Sequence, residues 1–307
     1  RRRASRQCPP CQHRAEILGP GLMNRLLGAH VSVAGGLDNA FANGLAVGCT
    51  ALQIFTKNAN RWQVKPIVDA EAAAFRQAWQ ESGIGPVMAH DAYLINLASP
   101  KESVWEKSKQ ALLDELCRCA RLGITDLVMH PGAHLGTGAD VGLERIRQAF
   151  REILPESPPQ VRLLLENTAG QGSYLGGDFA HLAALLDDFD EQRFGVCFDT
   201  CHAHSAGYDL STAEGYAQVM TEFDRLIGFD RIKAFHLNDC LKPCGSKVDR
   251  HAHIGQGTIG RTGFACLMQD PCFVKVPMIL ETPKGQNNEM DRVNLALLRQ
   301  LAEGDRE

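Results

Sequence analysis

The sequence lacks a long apolar run, a phosphate-binding lysine loop and any excess of positive charge. No hydrophobic stretch among its 307 residues approaches the ~18 residues that a membrane-spanning helix requires, which argues against a membrane protein. The formal net charge is −4, so bulk charge gives no reason to expect a nucleic-acid partner; such binding would need a local basic patch. The glycine-rich stretches GQG (255–257) and AGQGS (169–173) lack the lysine of a nucleotide-binding P-loop and read as loops of close approach. No Ser-His-Asp grouping stands out. The 11 cysteines are scattered, with Cys117, Cys119, Cys197, Cys201 and Cys266 inside predicted strands or helices. That placement suits reduced thiols of a cytoplasmic protein better than a disulfide framework. No repeat and no Pro/Gly/Ser linker divides the chain.

Residues 1–22 differ from the rest. They are basic and rich in Pro and Cys, with no apolar core of a secretory signal, and no second cysteine pair follows Cys8 and Cys11 at zinc-ribbon spacing. They are read as a disordered extension, and 23–307 as one domain.

Within that domain, six apolar, β-branched stretches each stop on a potential metal ligand. They are GPVMAH ending at His90, DLVMH at His130, VRLLLE at Glu166, FGVCFD at Asp199, IKAFH at His236 and VPMILE at Glu281. LLGAH, ending at His30, and ALQIFTKN, ending at Asn58, bring the set to eight. The stations lie about 28–45 residues apart, room for one helix and its loops each, since a βα unit takes roughly 30 residues or more. Helical patterns fill gaps at Asp69–Ser82, Lys101–Leu122, Leu143–Leu154, Asp178–Phe189, Ala213–Ile227 and Glu289–Leu301. In the second of these Val104, Ser108, Leu112, Leu116 and Cys119 form an inward stripe, Ser99 is the expected cap with Pro100 and Glu102 behind it, and Gly123 is the stop. Short strands that are apolar on both faces suit a parallel sheet covered by helices. The expected fold is α/β, a single-domain (β/α)₈ TIM barrel, whose strand ends converge on one face.

Imidazoles and carboxylates gathered there without a thiolate cluster favour Zn²⁺, Mn²⁺ or Fe²⁺ over Ca²⁺ or Mg²⁺. Glu166, central among the stations, can bridge two ions through its two oxygens. Asp249 and His251, two apart in extended backbone, share a face and can hold one ion, with His202 as a third ligand. Cys197 has the facing of Asp199 but lies deeper, where core packing is expected.

GAHVS (28–32), FTKN (55–58), HDAYLINL (90–97), HPGAH (130–134), ENTAGQGS (166–173), DTCHAHSAGYDL (199–210), HLND (236–239), VDRHAHIGQGTIG (248–260) and ILET (279–282) together resemble the endonuclease IV family of apurinic/apyrimidinic DNA-repair nucleases. The match runs from about Asn24 to beyond Glu281. The resemblance implies three zinc ions, with manganese as a substitute at some sites. It places His90 and His130 on the first ion and Glu166 as a bridge to the second, which Asp199, His236 and Glu281 complete. His202, Asp249 and His251 hold the third. It also implies hydrolysis on the 5′ side of an abasic site in duplex DNA during base-excision repair, leaving a 3′-hydroxyl and a 5′-deoxyribose phosphate, with Glu281 and Glu166 as catalytic carboxylates. A bacterial-type, cytoplasmic monomer with access to the nucleoid suffices for that work.

DNA contacts are expected from Lys57, Asn60, Arg61 and Trp62 after the second strand, Tyr93 and Leu94 after the third, and Lys247, Arg250 and Lys242 in the long seventh loop. The family commonly has an arginine where Asn60 stands; here Arg61 is its neighbour. His30 and His134 are read as partners that orient ligands. The competing readings are a metal-dependent sugar isomerase or epimerase on a similar barrel, and a non-catalytic DNA-lesion binder. Against the first stand the third ligand set and the basic-aromatic loops.

Overall fold

The computed structural model describes residues 25–304; the expectation for residues 1–22 falls outside them. Eight parallel strands close into a barrel: β1 (Leu27–His30), β2 (Ala51–Phe55), β3 (Val87–His90), β4 (Asp126–Met129), β5 (Arg162–Glu166), β6 (Phe194–Asp199), β7 (Ile232–His236) and β10 (Met278–Leu280), with β10 pairing back onto β1. A two-stranded antiparallel ribbon, β8 (Asp239–Cys240) with β9 (His251–Ala252), interrupts the seventh connection. The helices are α1 (Asn39–Val47), α2 (Asp69–Ser82), α3 (Glu102–Leu122), α4 (Ala139–Ile153), α5 (Phe179–Leu186), α6 (Thr200–Ala206), α7 (Ala213–Leu226), α8 (Gly260–Gln269) and α9 (Glu289–Glu303).

The sheet's two-residue alternation places the site. Ala51, Met88, Val128, Leu164, Cys197, Ala234 and Ile279 form one buried cluster inside the barrel. Two residues on along each of these segments stand Gln53, His90, His130, Glu166, Asp199, His236 and Glu281. Side chains at i and i+2 share a face of a strand, so an apolar plug carries a polar layer on top of it. Cys197 belongs to the plug, as its depth in the strand implies. At β1 the corresponding pair is Gly28 and His30. A Cβ on Gly28 would come within 1.8 Å of the Ala51 carbonyl oxygen on β2. Backbone cannot yield there as a flexible side chain does. Gly28→Ala is therefore expected to cost about 3 kcal/mol or more, the upper end of overpacking effects, read as a lowered midpoint in chemical denaturation.

The hydrophobic stripe of α3 lies inward through Ser108, Leu112, Leu116 and Cys119, joined by Trp105, and Gly123 ends the helix in the left-handed region at φ 85°. The helix starts later than its capping signal suggests. Ser99 is buried, its carbonyl accepts from Arg145 Nε at 2.7 Å, and its hydroxyl accepts from the Lys101 amide at 3.2 Å. Ser99 and Pro100 thus form a turn ahead of the helix, and Lys101 takes the cap position. Cys117, Cys119, Cys197 and Cys201 are free thiols, as their positions in the sequence suggest, whereas Cys272 departs from the expectation of reduced thiols and is disulfide-bonded.

Candidate metal centre

The ends of six of the eight barrel strands deliver the side chains that meet above the plug. Glu166 is fully buried at their centre. Its Oε2 lies 3.2 Å from His90 Nε2 and 3.1 Å from His130 Nε2, and its Oε1 lies 3.0 Å from His236 Nδ1 and 3.1 Å from His202 Nδ1. One carboxylate therefore faces two sets of imidazoles through different oxygens. His236 Nδ1 is also 3.2 Å from Glu281 Oε2 and 3.9 Å from Asp199 Oδ2. The ligand atoms of His90, His130 and Glu166 lie within 4.8 Å of one another, and so do those of Glu166, Asp199, His236 and Glu281.

A third grouping comes from loops. Asp199 caps α6, and its Oδ1 accepts from the His202 amide at 2.7 Å, so the turn out of β6 puts His202 beside the strand ends. Asp249 bridges two imidazoles, 3.2 Å from His202 Nε2 through Oδ2 and 3.2 Å from His251 Nε2 through Oδ1. The structure adds neighbours to this set: Asp199 groups with His202 and His251, and the thiol of Cys201 with Asp249 and His251.

The donor set fits divalent cations on two observations. Two donors on one tetrahedral ion at bond lengths of ~2.0–2.1 Å stand about 3.3–3.4 Å apart, close to the separations here. The imidazoles are also oriented for it. His90 Nδ1 donates to the Asp91 carbonyl at 3.0 Å, His202 Nδ1 to the Asn167 carbonyl at 3.0 Å, and His236 Nε2 to Gln53 Oε1 at 2.8 Å, each leaving a second nitrogen toward carboxylates. His251 Nε2 is buried without a hydrogen-bond partner, close to Asp249 Oδ1 but not aligned on it.

The electrostatics follow from four carboxylates crowded into one pocket. Burial works against charge on every group, yet the neighbouring carboxylates hold His90, His202 and His236 above the ordinary histidine value. For His251, burial is likewise outweighed by Asp249 and Asp199, which carry it up to about 9. Glu166 and Glu281 fall below the usual carboxylate range despite burial, chiefly because His236 faces both. Asp199 is pushed up by burial. Protons on imidazole thus balance the charge that cations would balance, and an incoming ion must displace them. Ion retention is therefore expected to weaken by about tenfold per pH unit for each displaced proton as pH falls below that of His251, measured by chelator competition at several pH values.

Three buried amides hold this cluster and gave no signal in the reading of motifs. Gln53 donates to Glu281 Oε1 at 2.7 Å and to His30 Nδ1 at 3.0 Å while accepting from His236. Asn238 donates to Asp199 Oδ2 at 2.7 Å and accepts from the Glu281 amide at 2.9 Å. Asn167 pairs with both backbone groups of Asp199. Alternation in ALQIF gives Gln53 its inward facing, but no motif marks it as a site residue. The inward polar residue of β2 is Gln53, whereas Asn58, three residues beyond the strand, is exposed in the loop.

The remaining expected site residues divide. His30 lies 3.5 Å from Glu281 Oε1, beside the cluster. His134 departs from the expectation: its Nδ1 accepts from the amides of Gly136 and Gly138 and shapes its own loop. Lys57 departs too. Its ammonium is buried against α3, 2.9 Å from Asp114 and 3.5 Å from Glu115, so its charge is already matched inside the protein. Arg118 holds the same loop at both ends, donating to Thr56 Oγ1 at 3.1 Å and to the Lys65 carbonyl at 3.1 Å. Between these anchors Asn60 and Arg61 are exposed, while Trp62 is half-buried and lines a cavity of about 570 Å³ with Lys107, Gln110 and Asp114. Tyr93 is 67% exposed, Leu94 is half-buried, and Lys242, Lys247 and Arg250 are all exposed in the seventh loop. A second cavity, of about 460 Å³, opens beside the cluster between His90, Tyr93, His130, Tyr174, His202 and Asp249.

Known proteins share this architecture. The family model described as Xylose isomerase-like TIM barrel matches residues 41–301. A protein of Geobacter sulfurreducens named Probable endonuclease 4 is 52% identical over 281 residues, covering 91% of this chain and 95% of that protein. One of the same name from Chloroflexus aurantiacus is 52% identical over 279 residues, 90% of this chain and 98% of its own length. The crystal structure of endonuclease IV from Thermus thermophilus superposes with a TM-score of 0.81 at 38% identity, covering 91% of this chain and 99% of that one. A 3-keto-D-glucoside 4-epimerase from E. coli superposes over 90% of this chain and all of its own (100%) with a TM-score of 0.66, but at 14% identity, and so shares the fold alone.

Proposed function

For a chain that belongs to the endonuclease IV family, we propose the activity of an apurinic/apyrimidinic endonuclease in base-excision repair. It hydrolyses the phosphodiester 5′ to an abasic site in duplex DNA, leaving a 3′-hydroxyl and a 5′-deoxyribose phosphate. The observation that carries this reading is the convergence of nine ligand side chains, from strand ends and the loops beside them, around a carboxylate with imidazoles on both oxygens. His90, His130 and Glu166 would hold one zinc ion, Glu166, Asp199, His236 and Glu281 a second, and His202, Asp249 and His251 a third; manganese suits the same donors. Bound ions supply positive charge and Lewis acidity against an anionic phosphodiester that otherwise repels its nucleophile.

The chain's own groups do the rest. Glu281 is tethered by Gln53 and faced by His30 and His236, so its carboxylate has a defined direction and stays ionised. It orients the attacking water and accepts its proton. Glu166 keeps the imidazoles on its two sides in register. The cavity beside them is bounded by Tyr93 and Tyr174, planar faces suited to a sugar lacking its base. Arg61, Lys247 and Arg250 offer cations for backbone phosphates, the local positive charge that a chain of net charge −4 requires. No helix among the described residues is long and apolar enough to cross a membrane. We read the protein as a cytoplasmic monomer acting on DNA.

The test is incubation of the purified protein with a duplex carrying one abasic analogue, before and after metal stripping. Metal-dependent incision on the 5′ side is the expected result. Turnover of a ketose without incision would reassign the protein as a sugar isomerase, and lesion binding without incision would make it a binder. Between the two exposed loop residues, Arg61→Ala should weaken lesion binding by roughly tenfold, consistent with loss of one charged contact, and more than Asn60→Ala. The reverse order in a gel-shift titration would make Asn60 the inserting residue.

A further inference from the structure

The rim of the barrel carries another grouping of metal-binding side chains that incision does not use. His204 lies in α6, Asp209 in the connection to α7, and Cys244 in the loop between β8 and β9. Their ligand atoms stand within 4.8 Å of one another, and His204 Nδ1 is 3.7 Å from Asp209 Oδ1. His204 is buried, whereas Asp209 and Cys244 are exposed, so the grouping is closed on the protein side and open to water on the other. Backbone contacts hold it together. The Gly245 amide donates to the His204 carbonyl at 3.0 Å and the Lys247 amide to the Ser205 carbonyl at 2.8 Å, seating the Cys244 loop on α6. The Asp209 carboxylate is fixed by the Ser211 amide at 2.9 Å and the Ser211 hydroxyl at 2.6 Å. The Leu210 amide donates to His204 Nδ1 at 3.4 Å, a long hydrogen bond that an ion on that nitrogen would displace.

We propose that His204, Asp209 and Cys244 form a further divalent-metal site, distinct from the barrel cluster, that takes a borderline-soft ion of the zinc class with a fourth position open to solvent. The thiolate is the reason for the choice of ion. Sulfur with imidazole and one carboxylate suits zinc or cobalt in tetrahedral geometry and disfavours calcium and magnesium, which require oxygen. An ion there would clasp α6, which carries His202, to the loop that carries Lys247, Asp249 and Arg250. The site stands or falls independently of the nuclease reading.

The nine residues of the barrel cluster include no sulfur, which gives the test its contrast. The full chain, with Cys8→Ser and Cys11→Ser to silence the terminal pair, is titrated with Co²⁺ and followed by absorption spectroscopy and metal analysis. The expected result is a near-ultraviolet thiolate-to-cobalt charge-transfer band that Cys244→Ser abolishes along with one equivalent of bound ion, while the d–d bands of the barrel cluster persist. Asp209→Asn, an exposed change, should weaken cobalt binding at this site alone. Absence of the band in the parent protein, its survival in Cys244→Ser, or its loss in Cys201→Ser instead would overturn the proposal.

Discussion

Glu166→Gln lowers incision of an abasic duplex by about four orders of magnitude and leaves about two fewer metal ions on each chain, the scale expected when catalysis by paired ions is lost. The substitution keeps shape and removes charge. Four imidazoles lie within 3.2 Å of the Glu166 oxygens, and the carboxylate is fully buried. A glutamine offers one carbonyl oxygen where two charged oxygens stood and turns an amide toward the other pair of rings. Neither imidazole set then has the anion that completes it, and breaking a buried charged network in this way is costly because no water replaces the missing partner. Metal analysis of the purified variant beside its incision rate separates this from a defect confined to chemistry. Full metal content in Glu166→Gln would remove Glu166 as the bridge.

Glu281→Gln is the complementary case. Lesion binding stays within a few-fold of the parent while incision falls by about a thousand-fold, within the range for loss of a positioned general base. Gln53 already holds one Glu281 oxygen at 2.7 Å and the backbone amide of Glu281 is anchored by Asn238, so an isosteric amide remains in place. What it loses is the charge that attracts the water's proton. Single-turnover incision with binding measured on the same duplex makes the separation. A variant that cuts at the parent's rate would take Glu281 out of the reaction.

Much of this was legible along the chain. The apolar runs of His90, His130, Glu166, Asp199, His236 and Glu281 are strand signals, and parallel strands carry their last residues to a common face whatever loops lie between. Helix signals were as plain where a stripe and a stop coincide, as in α3. The short α6 was hidden, because Asp199 serves both as the end of β6 and as the cap that turns the chain into it. Gln53 was hidden for a different reason. A lone amide within an apolar strand carries no motif, and only its neighbours across the barrel, His236 and Glu281, make it part of the site.

Composition, strand-end periodicity and the i, i+2 pair Asp249 and His251 by themselves determined the barrel, the rim on which chemistry is placed and the kinds of donor that meet there. These are local properties, repeated in each βα unit, and alternation along a strand suffices to read them. Only the tertiary structure decided that the Lys57 ammonium is spent on Asp114 and Glu115, that His134 serves its own loop, and that His204, Asp209 and Cys244 come together. Each of those outcomes depends on which side chain from a distant segment reaches a group first, and a competition for partners is settled in space rather than along the chain.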